Sequence, residues 1–171
     1  MEQTNHSPVG ALTPRPSAVS RSESTQIIMP PHINGAGRLF GGVLMQWIDT
    51  LASIVAMRHS GHSVTTAAVD TLEFRGPAFQ GEMVVLEGKV TWTGHTSMEI
   101  RVDTWVEERG VRKRLINRAY LIMVAMDEQD HPVAVPPLLV QTDEEQAEWQ
   151  MATKRKEARR HVLEAQLKAN V

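Results

Sequence analysis

The stretch from Asn34 to Arg58 reads NGAGRLFGGVLMQWIDTLASIVAMR, a glycine-rich turn followed by an apolar segment of helical length. Apolar residues occur on nearly every side of this segment, which predicts a helix that the rest of the fold surrounds. Gln46, Asp49 with Thr50, and Ser53 follow one another at intervals of three or four residues, so they share one stripe of the helix. A carboxylate on the polar stripe of a buried helix indicates a functional site.

The composition limits the class of protein. The chain has 171 residues, 42% hydrophobic and 22% charged, which is typical of one globular domain with a sizeable core. Its net charge of −2 gives no reason to expect nucleic acid or a membrane as partner. The absence of cysteine excludes disulfides and thiolate chemistry and fits a reducing compartment, so we expect a cytoplasmic protein.

Three segments are predicted along the chain. Residues 1–25 are rich in Ser, Pro and Thr and poor in large apolar residues, which indicates a disordered tail, with a transit peptide as the alternative. Residues 26–140 form one domain. Residues 141–171 form a C-terminal helix, packed on the domain or extending from it, which begins at the capping box of Thr142 and Glu145.

Within the domain, a short strand near Ile27 precedes the long helix, which ends before a turn at 59–63. Four antiparallel strands then follow in sequence, at 64–74, 83–92, 98–107 and 115–126. A sheet that curves around one helix keeps exposed edges, so dimerisation through an edge strand is expected.

A series of motifs runs through residues 26–160. The motifs are Asn34-Gly35, Leu39-Phe40-Gly41-Gly42, Trp47-Ile48-Asp49, Val64-Thr65-Thr66, Val69-Asp70, Gly94-His95-Thr96-Ser97-Met98-Glu99, Val124-Ala125-Met126-Asp127 and Val135-Pro136-Pro137. Together they resemble the hotdog-fold acyl-CoA thioesterases of the cytosolic acyl-CoA hydrolase type. The resemblance implies an α+β hotdog fold, in which a curved antiparallel sheet wraps a long central helix.

The resemblance also implies an activity: hydrolysis of acyl-CoA to free CoA and a carboxylic acid, as part of fatty acid metabolism. No cofactor is needed, because CoA belongs to the substrate. The site is expected between the subunits of a homodimer, itself part of a higher homo-oligomer such as a trimer of dimers, with Asn34 and Asp49 from different chains. Asp49 would act as general base or as nucleophile.

Other candidate catalytic groups surround this pair. Gly41 and Gly42 open the helix, whose N–H groups can polarise the thioester oxygen, although glycine also permits close packing. Thr66 is a candidate to order the attacking water. The alternatives are a core aspartate bonded to hydroxyls for Asp49, and a simple loop residue for Asn34.

Candidate contacts to CoA form a second group. They are Gly94, Thr96 and Ser97 in a tight turn, and Arg155, Lys156 and Arg159 near the end of the chain. The alternative for the first set is ordinary turn chemistry, and the alternative for the second is a basic helix face exposed to solvent. His59 and His62 lie in a turn without a third ligand, so no metal is expected.

Two rival functions fit the sequence less well. Hotdog hydratases and dehydratases pair a histidine with a carboxylate near the helix, and no histidine is expected within this helix. A non-catalytic acyl-CoA-binding module would not need both Asn34 and Asp49. Trp47 departs from the family pattern and is expected to reshape the acyl pocket.

Overall fold

The computed structural model describes residues 12–169. They form two helices, α1 (Gly41–Ser60) and α2 (Asp143–Ala169), neither of which is long and apolar enough to span a membrane. The strands of this part of the chain are β1 (Arg15–Pro16), β2 (Ser22–Ile27), β3 (Ser63–Phe74), β4 (Met83–Thr93), β5 (Ser97–Glu108), β6 (Val111–Met126) and β7 (Leu138–Leu139). The four long strands and both helices predicted from the sequence are therefore present.

The main sheet has five antiparallel strands in the order β2-β4-β5-β6-β3. The expectation that four strands pair in sequence is wrong for β3, which pairs with β6 and not with β4. The connection 75–82 can extend to about 26 Å, whereas three strand spacings span about 14 Å, so the chain can pass β6 and β5 before it begins β4. This order leaves one side of β3 without a strand partner among the described residues.

Helix α1 packs on the sheet through one stripe of side chains. The buried members are Leu44, Ile48, Leu51, Ala52, Val55, Ala56, His59 and Ser60. The opposite stripe is open, and Met45 and Met57 are each 43% exposed. The prediction of a helix surrounded on all sides is wrong for a single subunit, because the sheet covers only one face of α1.

The apolar core lies between α1 and the sheet. Its strand residues include Leu86, Val90, Met98, Ile100, Leu121 and Met123, all 2% exposed or less. A second, separate cluster of buried apolar residues includes Ile28, Val84 and Ile116. Trp47 packs against both clusters, which makes it a bridge between them.

Helix α2 lies on the other face of the sheet. Alternate residues of β5 point away from α1, and among them Glu99 accepts from Arg155 of α2 at 2.7 Å. The helix begins as predicted: the Glu145 N–H donates to Thr142 Oγ1 at 3.2 Å, and the Glu145 carboxylate accepts from the Gln141 N–H at 2.8 Å. The carboxylate thus bonds one residue earlier than in the standard capping box.

Residues 12–25 differ from the predicted disordered tail, of which residues 1–11 lie outside the described part of the chain. Strand β1 pairs with β7 in parallel, and β2 pairs with β4 along its whole length. Ser17 Oγ donates to the Val90 carbonyl at 3.0 Å, and Ser20 and Ser22 are also buried. Backbone pairing and small hydroxyls order this segment, and neither leaves a hydrophobic signal in the sequence.

Candidate active site

Asp49 lies half-buried on the open stripe of α1, where β3 supplies a hydrogen-bond donor to it. Thr66 Oγ1 donates to Asp49 Oδ1 at 2.6 Å, the short distance expected when a hydroxyl meets an ionised carboxylate. The register of β3 against β6 shifts between Thr66 and Ala68, and such a bulge changes the direction of nearby side chains. The structure brings Asp49 and Thr66 together, and leaves Oδ2 without a donor from residues 12–169.

A cavity of about 320 Å³, the Asp49 cavity, opens beside this carboxylate. Apart from Asp49 and Gln46, its wall is made by glycine and apolar side chains: Gly42, Met45, Ile48, Val69, Leu72 and Leu121. A space of this chemistry suits an apolar chain better than a charged group. Trp47 is not among the residues that line this cavity, and its effect on an acyl pocket stays a prediction.

The first turn of α1 forms one end of the Asp49 cavity. Phe40 precedes the helix and provides no side-chain hydrogen bond to cap it. A Cβ atom on Gly42 would lie 2.6 Å from the Phe40 ring, so a larger residue there would require this exposed ring to move. Close packing is thus one use of Gly42, and its role towards a thioester oxygen stays a prediction.

Asn34 shapes the loop before α1. Its Oδ1 accepts from the N–H groups of Ala36 at 2.9 Å and Arg38 at 3.2 Å. Gly37 has φ +73°, which the turn requires and glycine provides without strain. The loop role of Asn34 thus uses its oxygen, and its amide nitrogen retains two donors for another partner.

Asn34 also lies in the wall of a second cavity of about 340 Å³, the Asn34 cavity. Its other lining residues are Arg38, Leu39, Leu44, Phe74, Arg75, Gly76, Pro77, Ala78 and Ile116. Asp49 is not among them. Within one subunit the structure does not bring the two predicted catalytic residues into one cavity, as expected if they serve different sites.

The turn between β4 and β5 holds Gly94, Thr96 and Ser97. The Gly94 N–H donates to the Ser97 carbonyl at 2.7 Å, and the Thr96 carbonyl accepts from Ala125 N–H at 3.0 Å. These residues line neither cavity. Lys156 lies nearby, with its ammonium 4.3 Å from the centre of the Trp92 ring, so this turn and Lys156 stay predicted CoA contacts.

Arg155 and Arg159 have internal partners. Arg155 bonds to Glu99 and to Glu148, at 2.7 and 2.8 Å, and covers the Tyr120 ring. Burial alone would lower the pKa of Arg155, but its hydrogen bonds and the Glu99 charge raise that pKa above the ordinary value. Arg159 lies 2.9 Å from Asp70. Both arginines dock α2 on the sheet, so their predicted contact with CoA phosphates has no support in their surroundings.

His59 belongs to the last turn of α1, contrary to the prediction that the helix ends before it. Its Nε2 lies 3.1 Å from the Pro136 carbonyl, so Nε2 carries the proton, and burial lowers the pKa of His59. Ten helical residues separate it from Asp49, about 15 Å along the axis. It cannot pair with that carboxylate as a hydratase would require. No group of three or more His, Asp or Glu side chains in residues 12–169 is arranged to hold a metal.

A sheet packed on a central helix that carries a carboxylate defines a class of protein. Comparison with known proteins shows which family this class corresponds to. Residues 36–113 match the family model described as Thioesterase superfamily. The chain is 37% identical to the Uncharacterized acyl-CoA thioester hydrolase YkhA of Bacillus subtilis, over 83% of this chain and 86% of that protein. It is 33% identical to Acyl-coenzyme A thioesterase 11 of mouse over 84% of its length, but spans only 25% of that longer protein. The chain belongs to the acyl-CoA thioester hydrolases of the thioesterase superfamily.

Solved structures confirm the predicted α+β hotdog fold. An apo-hexameric acyl-CoA thioesterase has a TM-score of 0.85 and 36% identity, with 89% of this chain and 98% of that chain covered. The acyl-CoA hydrolase of Staphylococcus aureus, in complex with butyryl coenzyme A, coenzyme A and coenzyme A disulfide, has a TM-score of 0.83 and 29% identity, with 91% and 96% covered. Alanine variants of that enzyme at an asparagine, an aspartate and a threonine were also solved, and these residues are spaced like Asn34, Asp49 and Thr66.

Proposed function

We propose that this protein hydrolyses acyl-CoA thioesters to free CoA and a carboxylic acid. The observation that carries the proposal is the 2.6 Å contact between Thr66 and Asp49 in the wall of an apolar cavity. The names of the relatives, the CoA ligands of the S. aureus enzyme and the matching residue spacing support it. A cytoplasmic location is proposed on the names of the cytosolic mammalian relatives, and cell fractionation tests it.

In the proposed reaction Asp49 is a general base. Its Oδ2 accepts a proton from water, and the hydroxide formed attacks the thioester carbonyl carbon. The C–S bond then breaks, and the CoA thiolate leaves and takes up the proton that Asp49 accepted, which restores the Asp49 carboxylate. Thr66 keeps Oδ1 in place, which holds the carboxylate in a productive orientation.

Negative charge develops on the carbonyl oxygen during the attack. The N–H groups at the start of α1, near Gly41 and Gly42, together with the positive end of the helix dipole, are suited to stabilise this charge. The alternative route, in which Asp49 attacks the carbonyl itself, passes through an acyl-aspartyl anhydride. Hydroxylamine would trap that anhydride, and the water route predicts no trapped product.

A second subunit is proposed to complete the site. One side of β3 has no strand partner in residues 12–169, and its neighbourhood exposes apolar side chains: Phe40 at 54%, Phe74 at 57%, Val69 at 46% and Met45 at 43%. Pairing of two copies through this edge would cover these side chains and bring Asn34 of one subunit towards Asp49 of the other. A trimer of such dimers is proposed from the hexameric neighbour.

The Asp49→Asn variant tests the function. Loss of the base is expected to lower thiol release from a panel of short to long acyl-CoAs by at least about 100-fold. Asp130→Asn is the matched control: Asp130 has φ +60°, which asparagine tolerates, and lies in the loop after β6, so full activity is expected. Thiol release by Asp49→Asn at the rate of the unmodified protein would refute the mechanism.

A further inference from the structure

The Asn34 cavity has two guanidinium groups in its wall, Arg38 and Arg75. The two backbone segments that bear them are bonded to each other. The Leu39 N–H donates to the Ala78 carbonyl at 2.8 Å, and Arg38 forms an antiparallel bridge with Phe79. The loop 34–39 and the segment 75–79 are therefore two fixed walls of one space, each with an arginine.

A third arginine fixes the second wall. Arg114 Nη1 donates to the Pro77 carbonyl, and its Nη2 bonds to the Glu82 carboxylate at 3.0 Å. The Arg75 N–H donates to the Ile116 carbonyl at 2.8 Å, which ties the same segment to β6. Arg114 is used in these contacts, so it positions the wall and is not itself available to a ligand.

Arg38 and Arg75 differ in their charge environment from six arginines of residues 12–169 that pair with carboxylates and are at most 37% exposed. These are Arg101, Arg112, Arg114, Arg118, Arg155 and Arg159. Arg38 forms no ion pair with any carboxylate of residues 12–169. Arg75 lies 2.7 Å from Glu73, but their side chains are 43% and 52% exposed, and such a pair is weak in water. An anionic ligand can therefore compete for both guanidinium groups.

We propose that Arg38 and Arg75 bind a phosphate group of the CoA moiety, an inference that rests on the proposed thioesterase function. Guanidinium groups match phosphate oxygens in geometry and charge. The Asp49 cavity is apolar and suits the acyl chain, so the polar, anionic part of the substrate is left to the Asn34 cavity. Arg155 and Arg159, the arginines that the sequence indicated for this role, already have acidic partners.

Variants Arg38→Gln and Arg75→Gln, alone and combined, test this inference with two substrates, butyryl-CoA and butyryl-pantetheine, which lacks the phosphates. In the double variant the KM for butyryl-CoA is expected to rise at least about 10-fold, the loss expected for charge-assisted hydrogen bonds. The kcat for butyryl-CoA and the kcat/KM for butyryl-pantetheine are expected to stay at the level of the unmodified protein, because the arginines do not contact the reacting atoms.

Arg160→Gln is the matched control, since Arg160 is 66% exposed on α2 beside Glu164. It is expected to leave the KM for butyryl-CoA unchanged. The inference is overturned by an unchanged KM in the double variant, by an equal loss with butyryl-pantetheine, or by an equal effect of Arg160→Gln. Both tested arginines are exposed, and an unchanged thermal midpoint would verify that the variants fold.

Calorimetric titration with CoA separates this inference from the hydrolase proposal. A protein that releases no thiol from any acyl-CoA would refute the hydrolase function alone. Even then, weaker CoA binding by the double variant, by about 10-fold, would support the phosphate contact, and equal binding would overturn it.

Discussion

At the scale of single residues, the contact between Thr66 and Asp49 decides what the carboxylate can do. A hydroxyl that bonds one carboxylate oxygen leaves the other to accept a proton. This contact could be anticipated because the sequence puts a carboxylate mid-helix and a hydroxyl on the following strand. The partners of Arg155 could not, because an ion pair between a helix and a strand 56 residues earlier depends on tertiary structure.

Replacement of Thr66 by valine is expected to lower kcat by about 10-fold or more, because Asp49 loses the donor that orients it. Valine has nearly the same shape, and Thr66 is exposed within one subunit, so the thermal midpoint should change little. Thr66→Ser keeps the donor and should retain most of the activity. Thiol-release kinetics on the three proteins checks this, and a Thr66→Val variant with full kcat would rule out the orienting role.

At the scale of elements, the sequence located the helices and long strands but not all of their neighbours. The alternation in β5 and the capping residues of α2 are local signals, so these elements could be predicted. Strand β3 was paired wrongly, because alternation indicates a strand but does not indicate its partner. The short strand predicted near Ile27 is present as β2, but its start at Ser22 was missed, because Ser22 is buried there in place of a large apolar side chain.

The end of α1 is expected to respond to pH through His59. Burial lowers the pKa of His59 from 6.5, and the Arg15 charge acts in the same direction, although the Pro136 hydrogen bond partly opposes them. The unfolded chain therefore binds more protons here, so this contribution to stability is complete above pH 6.5 and is lost as the pH falls through the folded-state pKa. The free energy of unfolding should fall by at most about 1.4 kcal/mol per pH unit from this residue.

Urea denaturation between pH 8 and pH 5 measures this slope. His59→Gln cannot titrate and should show a flatter profile below pH 6.5, whereas His131→Gln, at a residue whose side chain is 75% exposed, should retain the slope. NMR titration of the His59 imidazole in the unmodified protein provides a second measurement. An imidazole that titrates at or above 6.5 would contradict the assignment.

At the scale of the whole molecule, the proposed active site is divided between two subunits. Asn34 and Asp49 line different cavities of the subunit. The edge of β3 beside them has no strand partner in residues 12–169 and exposes apolar side chains. A mid-helix aspartate alone does not indicate this division. The proposal rests on the order of strands, which leaves β3, the strand that carries Thr66, at an edge of the sheet beside Asp49 of α1.

Mixing two inactive variants tests the division. Asn34→Ala chains and Asp49→Asn chains, unfolded together and refolded, should regain roughly a quarter of the sites, because one site of each mixed dimer has both residues intact. Light scattering should show a dimer or a multiple of it. Verified mixed oligomers without any recovered thiol release would mean that each site belongs to one subunit.

In the proposed dimer, the unpartnered side of β3 also determines the rate law of the enzyme. A site divided between chains exists only after two chains have met, so at high dilution the rate should vary with the square of the chain concentration. Above the dissociation constant of the dimer it should vary with the first power. The strength of pairing along one twelve-residue strand then sets the lowest concentration at which this protein catalyses anything.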